Sequence, residues 1–203
     1  HNNALLWATL SPPEKVVAVL ELFLAYGIGV DTASSEGETP LVHALFIRNL
    51  PAIRFLLEHG ADPNQAGGRF AATPLQRAML RVGFDGNTDP IRLLLEAGAD
   101  PNHRDELSYT LLHNAVKREP FMSHETVDNA ALTLELVRLF LQYGADVDAS
   151  GPLGTSLAEA AGKGNLEVVR LLLEAGANPN GDTEGRHFPL EQAHLNGHRE
   201  IAD

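Results

Sequence analysis

The chain has 203 residues, of which 44% are hydrophobic and 21% charged, proportions that suit a folded protein and exclude wholesale disorder. Its 15 Lys and Arg against 27 Asp and Glu give a formal net charge of −12, which disfavours nucleic acid and anionic membrane as partners. There is no cysteine, so disulfides and thiolate metal sites are excluded, and the expected location is intracellular, cytoplasmic or nuclear. No apolar run reaches the ~18 residues of a membrane span, and the first residues do not follow a signal-peptide pattern. Because the chain opens on His1 and closes on Asp203 inside a helical pattern, a trimmed chain is expected, with a targeting segment possible only outside it.

In chain order, residues 1–33 predict a degenerate helix pair near "NNALLWATL" and "PPEKVVAVLELFLAY", with Ser11 and Glu14 as a capping box around two prolines. A period then becomes visible. "LLEHGADPN" at 56–64 returns as "LLEAGADPN" at 94–102 and "LLEAGANPN" at 172–180, with the variants "LFLQYGADVD" and "LFLAYGIGVD". The glycines that end these runs, Gly27, Gly60, Gly98, Gly144 and Gly176, are 33, 38, 46 and 32 residues apart. A second marker keeps the same beat: "ETPL" at 38–41, "ATPL" at 72–75, "YTLL" at 109–112, "GTSL" at 154–157 and "HFPL" at 187–190.

Each repeat has a physical reading. Thr39 or Thr73 caps a short helix whose first turn holds Pro40 or Pro74, where a missing N–H is harmless. The leucine-rich run forms a second helix with one apolar face, and glycine stops it in the left-handed conformation. "ADPN" and "ADVD" lead into turns or hairpin tips. One such pair cannot bury its own apolar face, whereas a stack can. The boundaries fall at 34–67, 68–104, 105–149, 150–182 and a truncated 183–203, after the capping pair at 1–33. Two insertions break the period and are expected between helices: "RVGFDGNTDP" at 81–90 and "KREPFMSHETVDNAALT" at 117–133, the latter carrying Phe121 and Met122.

The "TPL" marker, the alanines Ala44 and Ala78, "GNLEVVRLLLEAGANPN" at 164–180 and "NGHREIA" at 196–202 make the sequence resemble the ankyrin repeat. The resemblance implies an all-α solenoid of about six stacked helix-turn-helix units with hairpin-like loops. It implies a scaffold or adaptor that binds another protein on its concave face, without catalysis or cofactor. His113 falls in the slot where such repeats carry a histidine that braces neighbouring hairpins.

Mapped onto the family's variable slots, the repeats at 68–149 offer Arg69, Arg77, Arg81, Lys117 and Arg118 against Glu106, a local balance of +4. Phe70, Leu80, Leu107 and Tyr109 lie among them, with Phe46, Ile47 and His43 one repeat earlier. Basic groups around apolar anchors suit an acidic peptide segment with hydrophobic side chains. The expected contacts are Phe46, Arg69, Phe70, Arg77, Arg81, Tyr109, Lys117 and Arg118. The alternative is that these cations are solvated and pair with acidic neighbours.

Nine histidines raise the question of a metal. His194 and His198 have helical i, i+4 spacing beside His187 and Glu191, but the helix is expected to turn near Gly197, and no metal site is expected. Neither a "GxSxG" nor a P-loop motif occurs, so an enzyme would need a site assembled across repeats. An oligomerisation module using 117–133 is a further alternative. Asn64 and Asn102, each preceded by Asp two residues upstream and Leu eight residues upstream, resemble substrates of an asparaginyl hydroxylase.

Overall fold

The computed structural model describes residues 4–68, 72–117, 129–181 and 188–202. The chain divides into two compact halves, His1–Asp100 and Pro101–Asp203. The first half holds α1 (Ala4–Thr9), α2 (Pro13–Ala25), α3 (Pro40–Ile47), α4 (Leu50–Glu58), α5 (Pro74–Asp85) and α6 (Asp89–Glu96). Here α1, α3 and α5 form one layer and α2, α4 and α6 the other. Leu5, Leu20, Leu41, Ile53, Leu56, Leu75, Ile91 and Leu94 are fully buried between them. Each such side chain contributes about 1.5–3 kcal/mol relative to an exposed one.

The second half holds α7 (Leu111–Lys117), α8 (Asn129–Gln142), α9 (Ser156–Gly162), α10 (Leu166–Glu174), α11 (Pro189–Leu195) and α12 (Arg199–Ala202). It repeats the arrangement, with α7, α9 and α11 in one layer and α8, α10 and α12 in the other. Leu112, Leu136, Phe140, Leu157, Val168 and Leu172 form its core. An antiparallel hairpin, β1 (Ser150–Gly151) and β2 (Gly154–Thr155), precedes α9, with Ser150 opposite Thr155.

The caps follow the sequence signals. Thr39, Thr73 and Thr155 each accept a bond from the backbone N–H three residues on, and Gln76 returns the bond at Thr73 to complete a capping box. Asn49 and Asn165 cap α4 and α10 in the same way. The glycines that stop the second helices have φ between 83° and 93°. The capping box expected at Ser11 and Glu14 does not form. Pro12 takes the cap position of α2 without a side-chain bond, and its carbonyl accepts Lys15 N–H and Val16 N–H. Ser11 instead offers its carbonyl to the Asn49 side chain.

Both insertions differ from expectation in the same direction. Residues 81–85 are not loop but the end of α5, which is 12 residues long against 8 for α3, with Val82 and Gly83 buried before Gly86 (φ 70°) stops the helix. Residues 129–133 are the start of α8, where Leu132 and Thr133 are buried. In both described stretches the helix covers residues that bury apolar side chains against the layer beneath, Val82 in α5 and Leu132 in α8. Phe121 and Met122 lie outside the described residues.

Candidate functional site

The first half carries a cluster of exposed apolar side chains around one guanidinium. Phe46, near the end of α3, is 50% exposed; Leu80 and Phe84, on α5, are 67% and 39% exposed. The Arg81 guanidinium sits 4.4 Å from the Phe46 ring centroid and 5.9 Å from that of Phe84. Such contacts hold a cation in place without neutralising it. No carboxylate pairs with Arg81 among the described residues.

Beside it a cleft of about 130 Å³ opens between the ends of α3 and α5 and the starts of α4 and α6. Leu45, Leu50, Ala78, Val82 and Pro90 form its apolar lining, and Arg48, Arg81 and Asp85 its charged groups. Arg48 and Asp85 are ion-paired there. Sequence reasoning missed Arg48, Phe84 and Asp85, because it placed 81–90 between helices and no motif singled out the turn between α3 and α4. The available signal was Arg48 itself, which stands where the corresponding turns have Gly164 and Gly197.

The other expected contacts are distributed unevenly. Arg77 is half-buried, and its guanidinium lies along Gly68, where an added Cβ would come within 3.2 Å of it. Arg69, Phe70 and Arg118 lie outside the described residues.

In the second half Tyr109 departs from the exposed contact expected: it is 6% exposed. Its ring occupies space left by Gly151, whose Cβ, if present, would lie 3.1 Å from Tyr109 Cδ1. Lys117 Nζ covers the ring at 3.9 Å from its centroid. Lys117 is thus half-buried, and its carbonyl accepts a bond from Lys163 Nζ at 2.7 Å. Leu107 and Leu153 are exposed on the loops before α7 and α9.

Three of the histidines, His113, His43 and His198, hold structural hydrogen bonds. His113 Nδ1 accepts from Thr110 N–H at 3.3 Å, so Nε2 carries the proton and donates to the Gly154 carbonyl at 3.1 Å. This is the brace implied by the family slot. Burial holds its imidazole below the usual histidine range, against a raising pull from that carbonyl. His43, read from sequence as one of the variable-slot residues beside Phe46, is not an open contact. Instead it is half-buried, with Nδ1 2.6 Å from Thr9 Oγ1. Thr9 gives its own proton to the Leu6 carbonyl, so His43 Nδ1–H is the donor. Burial lowers the His43 pKa as well, with Glu38 opposing. His194 and His198 do not share a helix: α11 ends at Leu195, Gly197 (φ 78°) turns the chain, and His198 Nε2 donates to the Gly162 carbonyl.

Asn64 and Asn102 tie successive loops together. Asn64 Nδ2 donates to the Gly98 carbonyl and its Oδ1 accepts Asp100 N–H. Asn102 repeats the pattern with Gly144 and Asp146.

Family comparison agrees with this architecture. The model for three ankyrin repeat copies matches residues 78–180 and again 123–203, and the single ankyrin repeat model matches 36–65. The ankyrin repeat protein FPV014 of Fowlpox virus is 27% identical over 175 residues, covering 86% of this chain and 29% of that protein. Ankyrin repeat protein nuc-2 of Neurospora crassa is 33% identical over 199 residues, covering 87% of this chain and 19% of that protein. The chain therefore spans less than a third of the length of these relatives. A solved ankyrin repeat domain from Acinetobacter baumannii AYE superposes with a TM-score of 0.73 at 30% identity, covering 98% of this chain and 93% of that one. With threonine-capped helix pairs, glycine stops and matched windows in agreement, the chain belongs to the ankyrin repeat family, whose repeats generally mediate protein–protein interaction.

Proposed function

We propose that this chain is a non-catalytic scaffold or adaptor that binds an acidic, hydrophobically anchored segment of another protein. Within the described residues, the reading centres on Phe46, Leu80, Arg81 and Phe84 of the first half. Lys117, in the second half, and Arg69, Phe70 and Arg118, which lie outside the described residues, remain proposed contacts on their sequence slots alone. Arg77 and Tyr109 are supports rather than contacts, because one lies along Gly68 and the other is buried. An intracellular site of action goes with this reading and rests on the absence of cysteine.

The single observation that carries the proposal is Arg81, a cation held between two exposed aromatic rings with no carboxylate of its own among the described residues. On a chain of net charge −12, a retained unpaired cation beside apolar anchors is a local exception that favours a carboxylate-bearing partner. Affinity capture from a native extract with wild type and Arg81→Glu tests it. Proteins captured by wild type and lost from the folded variant are the expected result. Identical captured sets would contradict the assignment of this surface.

A further inference from the structure

Three independent features converge on the cleft between α3–α4 and α5–α6. The first is Arg48. It follows the last residue of α3 with φ 63°, in the left-handed region, directly before the Asn49 cap of α4. The other halves of the comparison come from the chain itself: Gly164 (φ 72°) directly precedes the Asn165 cap of α10, and Gly197 (φ 78°) precedes the turn into α12. Where those turns use the residue that suits the conformation, this turn holds an arginine against backbone strain. Strain of this kind is held by the surrounding structure and clusters at functional sites.

The second feature is the added turn of α5, residues 82–85, which α3 lacks. It supplies Val82 to the floor of the cleft and Asp85 to Arg48. The third is the cleft itself. Its volume of about 130 Å³ is close to the roughly 150 Å³ cavity that accommodates a benzene-sized group. Its lining mixes aliphatic side chains with the polar groups of Arg48, Arg81, Asp85 and Asn87, and its cations are Arg48, which Asp85 holds, and Arg81, which no carboxylate holds among the described residues.

We propose that Arg48 and Arg81 form the carboxylate-reading rim of this cleft, which takes one apolar side chain of an acidic peptide segment. Asp85 occupies Arg48 in the free protein and is displaced by a carboxylate of the partner. The cleft thereby admits an apolar side chain only when carboxylates accompany it, because a neutral segment cannot replace Asp85. This rests on the acidic-partner reading above and adds to it the pocket, its occupant and a residue that competes for it.

A fluorescein-labelled peptide, Glu-Asp-Leu-Asp-Glu, titrated by anisotropy into the whole chain, is the test. Backbone amide shifts would be followed on isotope-labelled protein, with circular dichroism as the folding control. Wild type should bind with shifts at Arg48, Val82 and Asp85. Arg48→Gly, which restores the residue used at the other turns, should fold and bind about tenfold more weakly. Replacing the peptide leucine by alanine should weaken binding on a similar scale, and Asp85→Asn should bind more tightly than wild type. Binding that is lost in Arg81→Glu but unchanged in Arg48→Gly and Asp85→Asn would overturn the cleft while leaving the acidic-partner surface standing. No binding of the peptide to wild type would overturn both.

Discussion

Arg48 sets one backbone dihedral where glycine is the easier residue, and the size of that effect can be separated from its ion pair. A non-glycine residue in the left-handed region is strained by roughly 1–2 kcal/mol, offset in part by the greater unfolded-state freedom of glycine, roughly 0.5–1 kcal/mol. Arg48→Gly and Arg48→Ala both lose the bond to Asp85, so their difference isolates the backbone. Urea unfolding should find the glycine variant more stable than the alanine variant by about 0.5–1 kcal/mol. Equal midpoints would mean that Arg48 is unstrained. His113 makes a second residue-scale prediction. Its folded pKa lies below the ordinary 6.5, so the unfolded chain binds more protons in the interval between the two values. Its contribution is fully present above pH 6.5 and is lost as pH falls through the folded value; protonation would set a second N–H against that of Thr110. Urea midpoints measured from pH 7.5 down to about 5.5 should therefore decline, and decline less in His113→Gln. Parallel profiles would assign the pH dependence elsewhere, His43 being the first alternative because its pKa is lowered too. Of these residues only His113 was legible in the sequence. Tyr109 was not, because its burial depends on the missing side chain of Gly151, 42 positions away.

At the scale of elements, the caps and stops were legible because they are local: a threonine, a proline and a glycine act within one turn of themselves. The Ser11–Glu14 box failed for an equally local reason, since Pro12 took the cap position. Helix extent was less legible. The added turn of α5 reads as loop from its glycines, yet Val82 finds a buried place against the layer beneath, and tertiary burial overrides the local signal. That turn brings Phe84 and Asp85 to the candidate surface, so the misread element and the missed site residues have one cause. The start of α5 is fixed by the reciprocal bonds of Thr73 and Gln76. Thr73→Ala should destabilise the chain by about 1 kcal/mol in thermal or urea unfolding, more than the same change at an exposed threonine without a cap bond. An effect near zero would show that Pro74 alone fixes the helix start.

At the scale of the whole molecule, the repeat was the most legible feature, because two markers recur together and each copy must bury the same face. The interaction surface was only partly legible, since repeat slots state which positions vary and not which neighbours cover them. Phe46 is exposed with the half-buried Arg81 over its ring, whereas Tyr109 is buried and Arg77 is half-buried along Gly68. The central claim is that an acidic partner is drawn to the cation at Arg81, and exposed charges interact only within a screening length of about 8–10 Å near physiological ionic strength. The most direct measurement is the association rate of a captured partner with immobilised wild type and Arg81→Glu across a series of salt concentrations. The account predicts a wild-type rate that falls steeply as salt rises and a slower, flatter series for the variant. A wild-type rate independent of salt, or two superimposable series, would contradict it.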